Sequence, residues 1–170
     1  MHKEYSDITQ INGLKCRFDG YSGVDKSILE SSGFGRIMGL VNYKSEIVLI
    51  LHEKGSWNFP GGHMEAGENA MDTLLRELDE EADVIAKPEA VEPVLLVKTF
   101  TMPGSEWIED ETQLICYTEI DELPPLTPDP DEDIIDRKLV SVDEIYEYIM
   151  WDSITWITGW LQERINPESL

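Results

Sequence analysis

The 170-residue chain predicts an α+β or α/β sandwich, a mixed sheet sandwiched between helices. Three observations carry this. β-Branched apolar runs at 36–52 and again at 93–120 read as strands. One segment, Glu68 to Ala82, has the period of an amphipathic helix. No internal repeat is present, so strands mixed with few helices must build one layered core. A length of 170 residues with 41% hydrophobic content suits a single compact domain.

Element by element, Met1 to Ser32 is polar and broken by Gly13, Gly20 and Gly23. It reads as an N-terminal extension or irregular cap, residues 1–32, packed on a single domain of residues 33–170. Arg36 to Tyr43 and Glu46 to His52 are strands joined by a turn at Asn42-Tyr43-Lys44-Ser45. Trp57-Asn58-Phe59 is a short extended piece stopped by Pro60-Gly61-Gly62. In the helix, Met71, Leu74, Leu75, Leu78 and Ala82 share one apolar face. Pro93 to Thr101 and Thr112 to Ile120 are strands joined by a loop carrying Pro103, Gly104 and Trp107. The acidic, proline-rich stretch Asp121 to Asp136 reads as an exposed loop. Ser141-Val142-Asp143-Glu144 is a capping box that opens a helix to about Met150. Asp152 or Ser153 caps a last helix to Ile165, whose Trp156 and Trp160 border an apolar stripe. That surface packs against the sheet and the N-terminal extension, or forms a homodimer interface rich in tryptophan.

Charge excludes several functions. With 35 acidic against 13 basic residues the formal net charge is -22, which repels nucleic-acid backbones and anionic lipid alike. Long nucleic acids and membranes are therefore not expected as partners. No apolar run nears the roughly 20 residues of a membrane span, and the start, MHKEYSD, lacks the apolar stretch of a secretory signal, so a cytoplasmic location is expected. Cys16 and Cys116 are too few and too far apart for a zinc ribbon or a disulfide framework.

The chemistry concentrates in the helix. At ~100° per residue, Glu77, Glu80 and Glu81 cluster within about 100° of one another, on a face beside the apolar stripe. Like charges at these spacings repel. A divalent cation bound among such hard oxygen ligands would reverse that repulsion. Upstream, Gly61-Gly62 and Glu68 precede Arg76-Glu77-Leu78-x-Glu80-Glu81. The whole pattern, Gly62-x5-Glu68-x7-Arg76-Glu77-Leu78-x-Glu80-Glu81-x-Asp83-Val84, resembles the Nudix box of the Nudix hydrolases, with Trp57-Asn58-Phe59-Pro60 as its usual lead-in. Asp83 stands where the box normally has glycine.

The resemblance implies a Nudix-type mixed sheet between helices and hydrolysis of a nucleoside diphosphate linked to a group X, with Mg2+ or Mn2+ as cofactor. It implies that Glu77, Glu80, Glu81 and the Gly61 carbonyl hold the metal, and that Glu68 and Arg76 brace the loop against the helix. The general base is Glu80 or Glu81, or a later-loop acid among Asp131, Glu132, Asp133 and Asp136. From Thr99 to Asp136 there is no Lys or Arg, so phosphate binding must come mostly from metal. Arg36, Lys54, His63 and Lys98 are candidates for direct substrate contact, and Trp107 or Phe100 for stacking on a base. The first-guess substrate is a nucleoside triphosphate, giving NMP and pyrophosphate. ADP-ribose or a nucleotide sugar is the alternative, and a non-catalytic nucleotide-sensing module the alternative of another class.

Overall fold

Asn12 and Gly13 both take left-handed backbone, φ 51° and 81°, and turn the first segment into a hairpin of β1 (His2–Ile11) and β2 (Leu14–Ser22). The fold is that of a computed structural model, which describes residues 1–127, 133–151 and 154–166. The following strands are β3 (Arg36–Tyr43), β4 (Glu46–His52), β5 (Trp57–Asn58) and β6 (Gly61–His63). After helix α1 (Ala70–Ala82) come β7 (Glu92–Met102), β8 (Ile108–Glu119) and β9 (Ile134–Val140). Helices α2 (Ile145–Tyr148) and α3 (Ile154–Ile165) complete the order.

Among the described residues these strands form one nine-stranded sheet, ordered β1-β2-β7-β8-β3-β4-β5, with β6 on β3 and β9 on β4. β3 and β8 run parallel and the other pairs antiparallel. The β3–β4 hairpin is as expected in place but pairs over only Asn42↔Ile47 and Tyr43↔Glu46. Beyond that it splays, because β6 takes the edge of β3 while β9 and β5 take β4.

Each face of the sheet carries a core. On one, Leu74, Leu78 and Ala82 of α1 pack on Ile37, Val41 and Val48. Gly39 makes the close approach possible, since a Cβ there would stand 2.8 Å from Leu78 Cδ2. On the other, Ile145, Ile154, Ile157 and Leu161 pack on Met38, Leu40, Leu49 and Ile115. The tryptophans are engaged within the chain: Trp151 is edge-on to Phe59, Trp160 is edge-on to Tyr117, and the Trp156 indole N–H donates to Glu4. Cys16 and Cys116 are free and buried.

Three expectations are corrected. Residues 2–22 of the N-terminal segment are a strand pair continuous with the main sheet through β2–β7 pairing, because Asn12-Gly13 supplies a two-residue hairpin turn, and a 3-10 turn at Lys26–Glu30 follows. The stretch 121–136 ends in a strand: Ile134 buries its side chain in the core and β9 pairs with β4. The segment opened by Ser141 is a 3-10 turn, Val142–Glu144, running into the four residues of α2. The proposed caps Asp152 and Ser153 lie outside the described residues. No helix among the described residues is long and apolar enough to cross a membrane.

Candidate active site

The Pro60-Gly61-Gly62 corner presses β6 between β3 and α1. Gly61 has φ 145°, and a Cβ on it would stand 2.2 Å from the Ile37 carbonyl oxygen, so only glycine fits. At Gly62 a Cβ would stand 2.3 Å from Glu77 Oε1. The bare Cα thus makes room for that carboxylate.

Asn69 caps α1 and exchanges hydrogen bonds with Asp72 in a capping box. The buried stripe is rotated from the expected one: Ala70, Thr73, Leu74, Glu77 and Leu78 face inward, with Met71 and Leu75 only half-buried. Glu77 is consequently 8% exposed. Burial raises its pKa and the neighbouring Glu80 adds to the rise, while Arg76 opposes both.

Arg76 organises the box. Its Nε donates to Glu68 Oε1 at 2.7 Å and its Nη2 to Glu68 Oε2 at 3.1 Å, a two-pronged clamp. Its Nη1 donates to Glu77 at 2.8 Å and to Glu80 at 3.1 Å, and Nη2 reaches the His63 carbonyl. Glu68 also accepts from the Glu65 backbone N–H and the Thr73 hydroxyl. Bonding to Arg76 first, then to that N–H, holds the Glu68 carboxyl down at about 2. Glu81 turns the other way and accepts from the Gly61 N–H at 2.7 Å.

The remaining candidates separate. Arg36 pairs in register with His63 on β6, and its Nη2 donates to the Gly61 carbonyl. Its Nε is buried without a hydrogen-bond partner. Burial foremost, and then the charge of Arg36, lowers the pKa of His52. The His63 imidazole is 75% exposed, 3.8 Å from Glu111. Lys54 is exposed in the turn after β4, and Lys98 is ion-paired with Glu109. Phe100 and Trp107 hold the Arg17 guanidinium, at 4.1 and 4.9 Å from their ring centres. Asp133 is joined to Glu53 through its backbone carbonyl. Asp136 accepts from the Arg137 N–H, on the sheet face opposite the Arg137 side chain, which bonds the Ala82 carbonyl at the end of α1. Asp131 and Glu132 lie outside the described residues.

A cavity of about 420 Å3 opens beside Arg36. It is lined by Arg36, Met38, Gln113, Asn58 and Trp151, among others. β1 contributes Tyr5, Asp7 and Thr9. These β1 residues, with Asn58 and Gln113, had no functional signal in the sequence beyond the Asn12-Gly13 turn that fixes which face of β1 points in.

Glu77, Glu80, Glu81 and the Gly61 carbonyl are hard oxygen donors, the chemistry that Mg2+ or Mn2+ takes. A carboxylate as buried as Glu77, next to Glu80, also gains from a nearby cation. By donor type the residues fit a divalent metal. Among the described residues no group of three His, Cys, Asp or Glu side chains converges as a ready-made metal cluster, because Arg76 draws Glu77 and Glu80 while the Gly61 N–H holds Glu81.

Residues 35–157 match the family model of the NUDIX domain, and the chain belongs to that family. It is a Nudix hydrolase, a class whose chemistry is cleavage of pyrophosphate bonds and whose members generally use divalent metals. A search of curated proteins finds no match. Solved structures share the fold at low identity. A mutant of the Bacillus subtilis pyrophosphohydrolase BsRppH is 17% identical, covers 98% of this chain and 98% of its own, and superposes with a TM-score of 0.63. The NUDIX domain of Shewanella oneidensis NrtR, in complex with ADP ribose, is 13% identical over 80% of this chain and 90% of its own, with a TM-score of 0.57. A bifunctional NMN adenylyltransferase/ADP ribose pyrophosphatase from Francisella tularensis, complexed with AMP and a Mn ion, is 20% identical over 79% of this chain and 42% of its own, with a TM-score of 0.54.

Proposed function

We propose that the chain hydrolyses the pyrophosphate bond of a small nucleoside diphosphate linked to a group X, with a nucleoside triphosphate, cleaved to NMP and pyrophosphate, as the leading substrate. The observation that supports this best is the position of Arg36, which bonds the Gly61 carbonyl at the box and also lines the cavity. Phosphates at the box and an organic group in the cavity would thus be parts of one ligand, and about 420 Å3 is within the size range of small-molecule sites.

In this reading Glu77, Glu80, Glu81 and the Gly61 carbonyl hold Mg2+ or Mn2+. The bound ion supplies charge neutralisation of the diphosphate, which carboxylates alone would repel. Arg76, clamped by Glu68, orients Glu77 and Glu80 through hydrogen bonds from its Nη1. Glu80 has a side chain 55% exposed, which suits it to handle the attacking water. Arg36 supplies a positive charge to the phosphates from the cavity side.

ADP-ribose is the second reading, favoured by two structural neighbours, one in complex with ADP ribose and the other an ADP ribose pyrophosphatase. Incubation with Mg2+ and a panel of nucleoside triphosphates, ADP-ribose, nucleotide sugars and dinucleoside polyphosphates, with products identified by mass, decides between them. NMP plus pyrophosphate supports the triphosphate reading, and AMP plus ribose 5-phosphate replaces it by the second. No turnover of any compound favours a sensor.

A further inference from the structure

β1 is turned the wrong way for a strand that merely covers a core. Tyr5, Asp7 and Thr9 are half-buried and face inward, while Ile8 on the outer face is 54% exposed. A slip of one residue would exchange the two faces, yet the register is held firmly. The Asn12-Gly13 turn fixes it at one end. Asp19, 3% exposed, accepts from Ser6 at 2.6 Å and pairs with Lys3 at 3.0 Å, and Trp156 of α3 reaches Glu4.

The inward face looks into the cavity that Arg36 lines. One row crosses the sheet from the hairpin to the box, Tyr5↔Gly20↔Val97↔Gln113↔Arg36. Gly20 lets the Tyr5 ring lie over this row, since a Cβ there would stand 2.2 Å from Tyr5 Cε1. The match to the NUDIX family model begins at residue 35, so the hairpin lies outside the segment that carries the box.

We propose that the N-terminal hairpin is the specificity wall of the substrate site and takes the nucleobase, with Tyr5 against the face of the ring and Asp7 accepting from its N–H donors. The proposal rests on the reading of the box as the pyrophosphate site. A carboxylate repels phosphate but is an acceptor with about four lone-pair sites, so Asp7 can keep a place in the fold and still receive N–H groups. Guanine matches it best, because its N1–H and N2–H lie side by side and meet two carboxylate oxygens. Thr9, next along the same face, adds a hydroxyl.

The test is binding without cleavage, followed by tryptophan fluorescence, since Trp151 lines the cavity. The probes are α,β-methylene analogues of GTP, ATP, CTP and UTP, with inorganic tripolyphosphate as the base-free reference, all with Mg2+. The guanine analogue is expected to bind at least tenfold tighter than tripolyphosphate. Asp7→Asn, nearly the same shape, should cut that ratio about tenfold, and Tyr5→Leu should cut it for all four analogues. A guanine analogue that binds no tighter than tripolyphosphate overturns the proposal, as does a ratio unchanged in both folded variants. Base-selective binding without turnover of cleavable nucleotides would sink the proposed hydrolysis and leave the wall standing.

Discussion

At Gly61 and Gly62 the same missing atom serves two purposes, and substitution separates them. Gly61→Ala forces a Cβ into the Ile37 carbonyl at a φ of 145°. We expect it to cost about 3 kcal/mol of stability in a denaturant titration. Gly62→Ala meets only the flexible end of Glu77. It should melt close to wild type while weakening Mn2+ binding about tenfold, read by electron paramagnetic resonance. Equal destabilisation by both would show that Gly62 serves packing rather than the carboxylate. Glu68 gives a pH signature. Its carboxyl is held at about 2 against an ordinary 4.5, so the brace on Arg76 is fully present above 4.5 and is lost as pH falls toward 2. Glu68→Gln should therefore be less stable than wild type near neutrality, with the gap closing on acidification through that window. A gap independent of pH would mean that the ionised clamp contributes nothing.

Among the elements, α1 shows how a departure from the family pattern is absorbed. Asp83 ends the helix in left-handed backbone, φ 48° and ψ 40°, at a cost of roughly 1 kcal/mol against glycine. Its carboxylate then accepts from the Thr127 N–H at 2.6 Å and the Thr127 hydroxyl at 2.8 Å, which glycine cannot do. Asp83→Gly should leave the melting temperature nearly unchanged but speed amide exchange in residues 121–127. Unchanged exchange there would show that the anchor is idle. Legibility differed from element to element for similar local reasons. β3, β4 and α1 could be read because their buried sides are apolar at periods of two and 3.6. β1 could not, since its inner side is Tyr5, Asp7 and Thr9, and a polar inner face defeats a hydrophobic period. Ser141 and Glu144 do form the expected reciprocal bonds. A capping box cannot set helix length, though, and α2 stops at Tyr148.

For the whole molecule, the net charge of -22 is met at the box by guanidinium groups. Arg76 holds three carboxylates and Arg36 bonds a backbone carbonyl. The spacing of the glutamates was readable in the sequence. That Arg76 gathers two of them and that Glu81 faces the Gly61 N–H was not, since side-chain direction depends on how β6 is wedged against α1. Likewise, the cavity exists only because the fold lays the hairpin, β8 and the segment before α3 around Arg36, residues far apart in the chain. If the box carboxylates hold a cation that permits pyrophosphate cleavage, turnover needs both the metal and the carboxylates. The most direct measurement compares wild type with Glu81→Gln on the substrate found by the panel, with Mg2+ and then with chelator, alongside a far-ultraviolet spectrum of each protein. Turnover is expected only with the metal, with a loss of about 10²–10⁴-fold in a folded Glu81→Gln variant; turnover that survives the chelator, or a variant as active as wild type, shows that the box carboxylates hold no cation needed for cleavage.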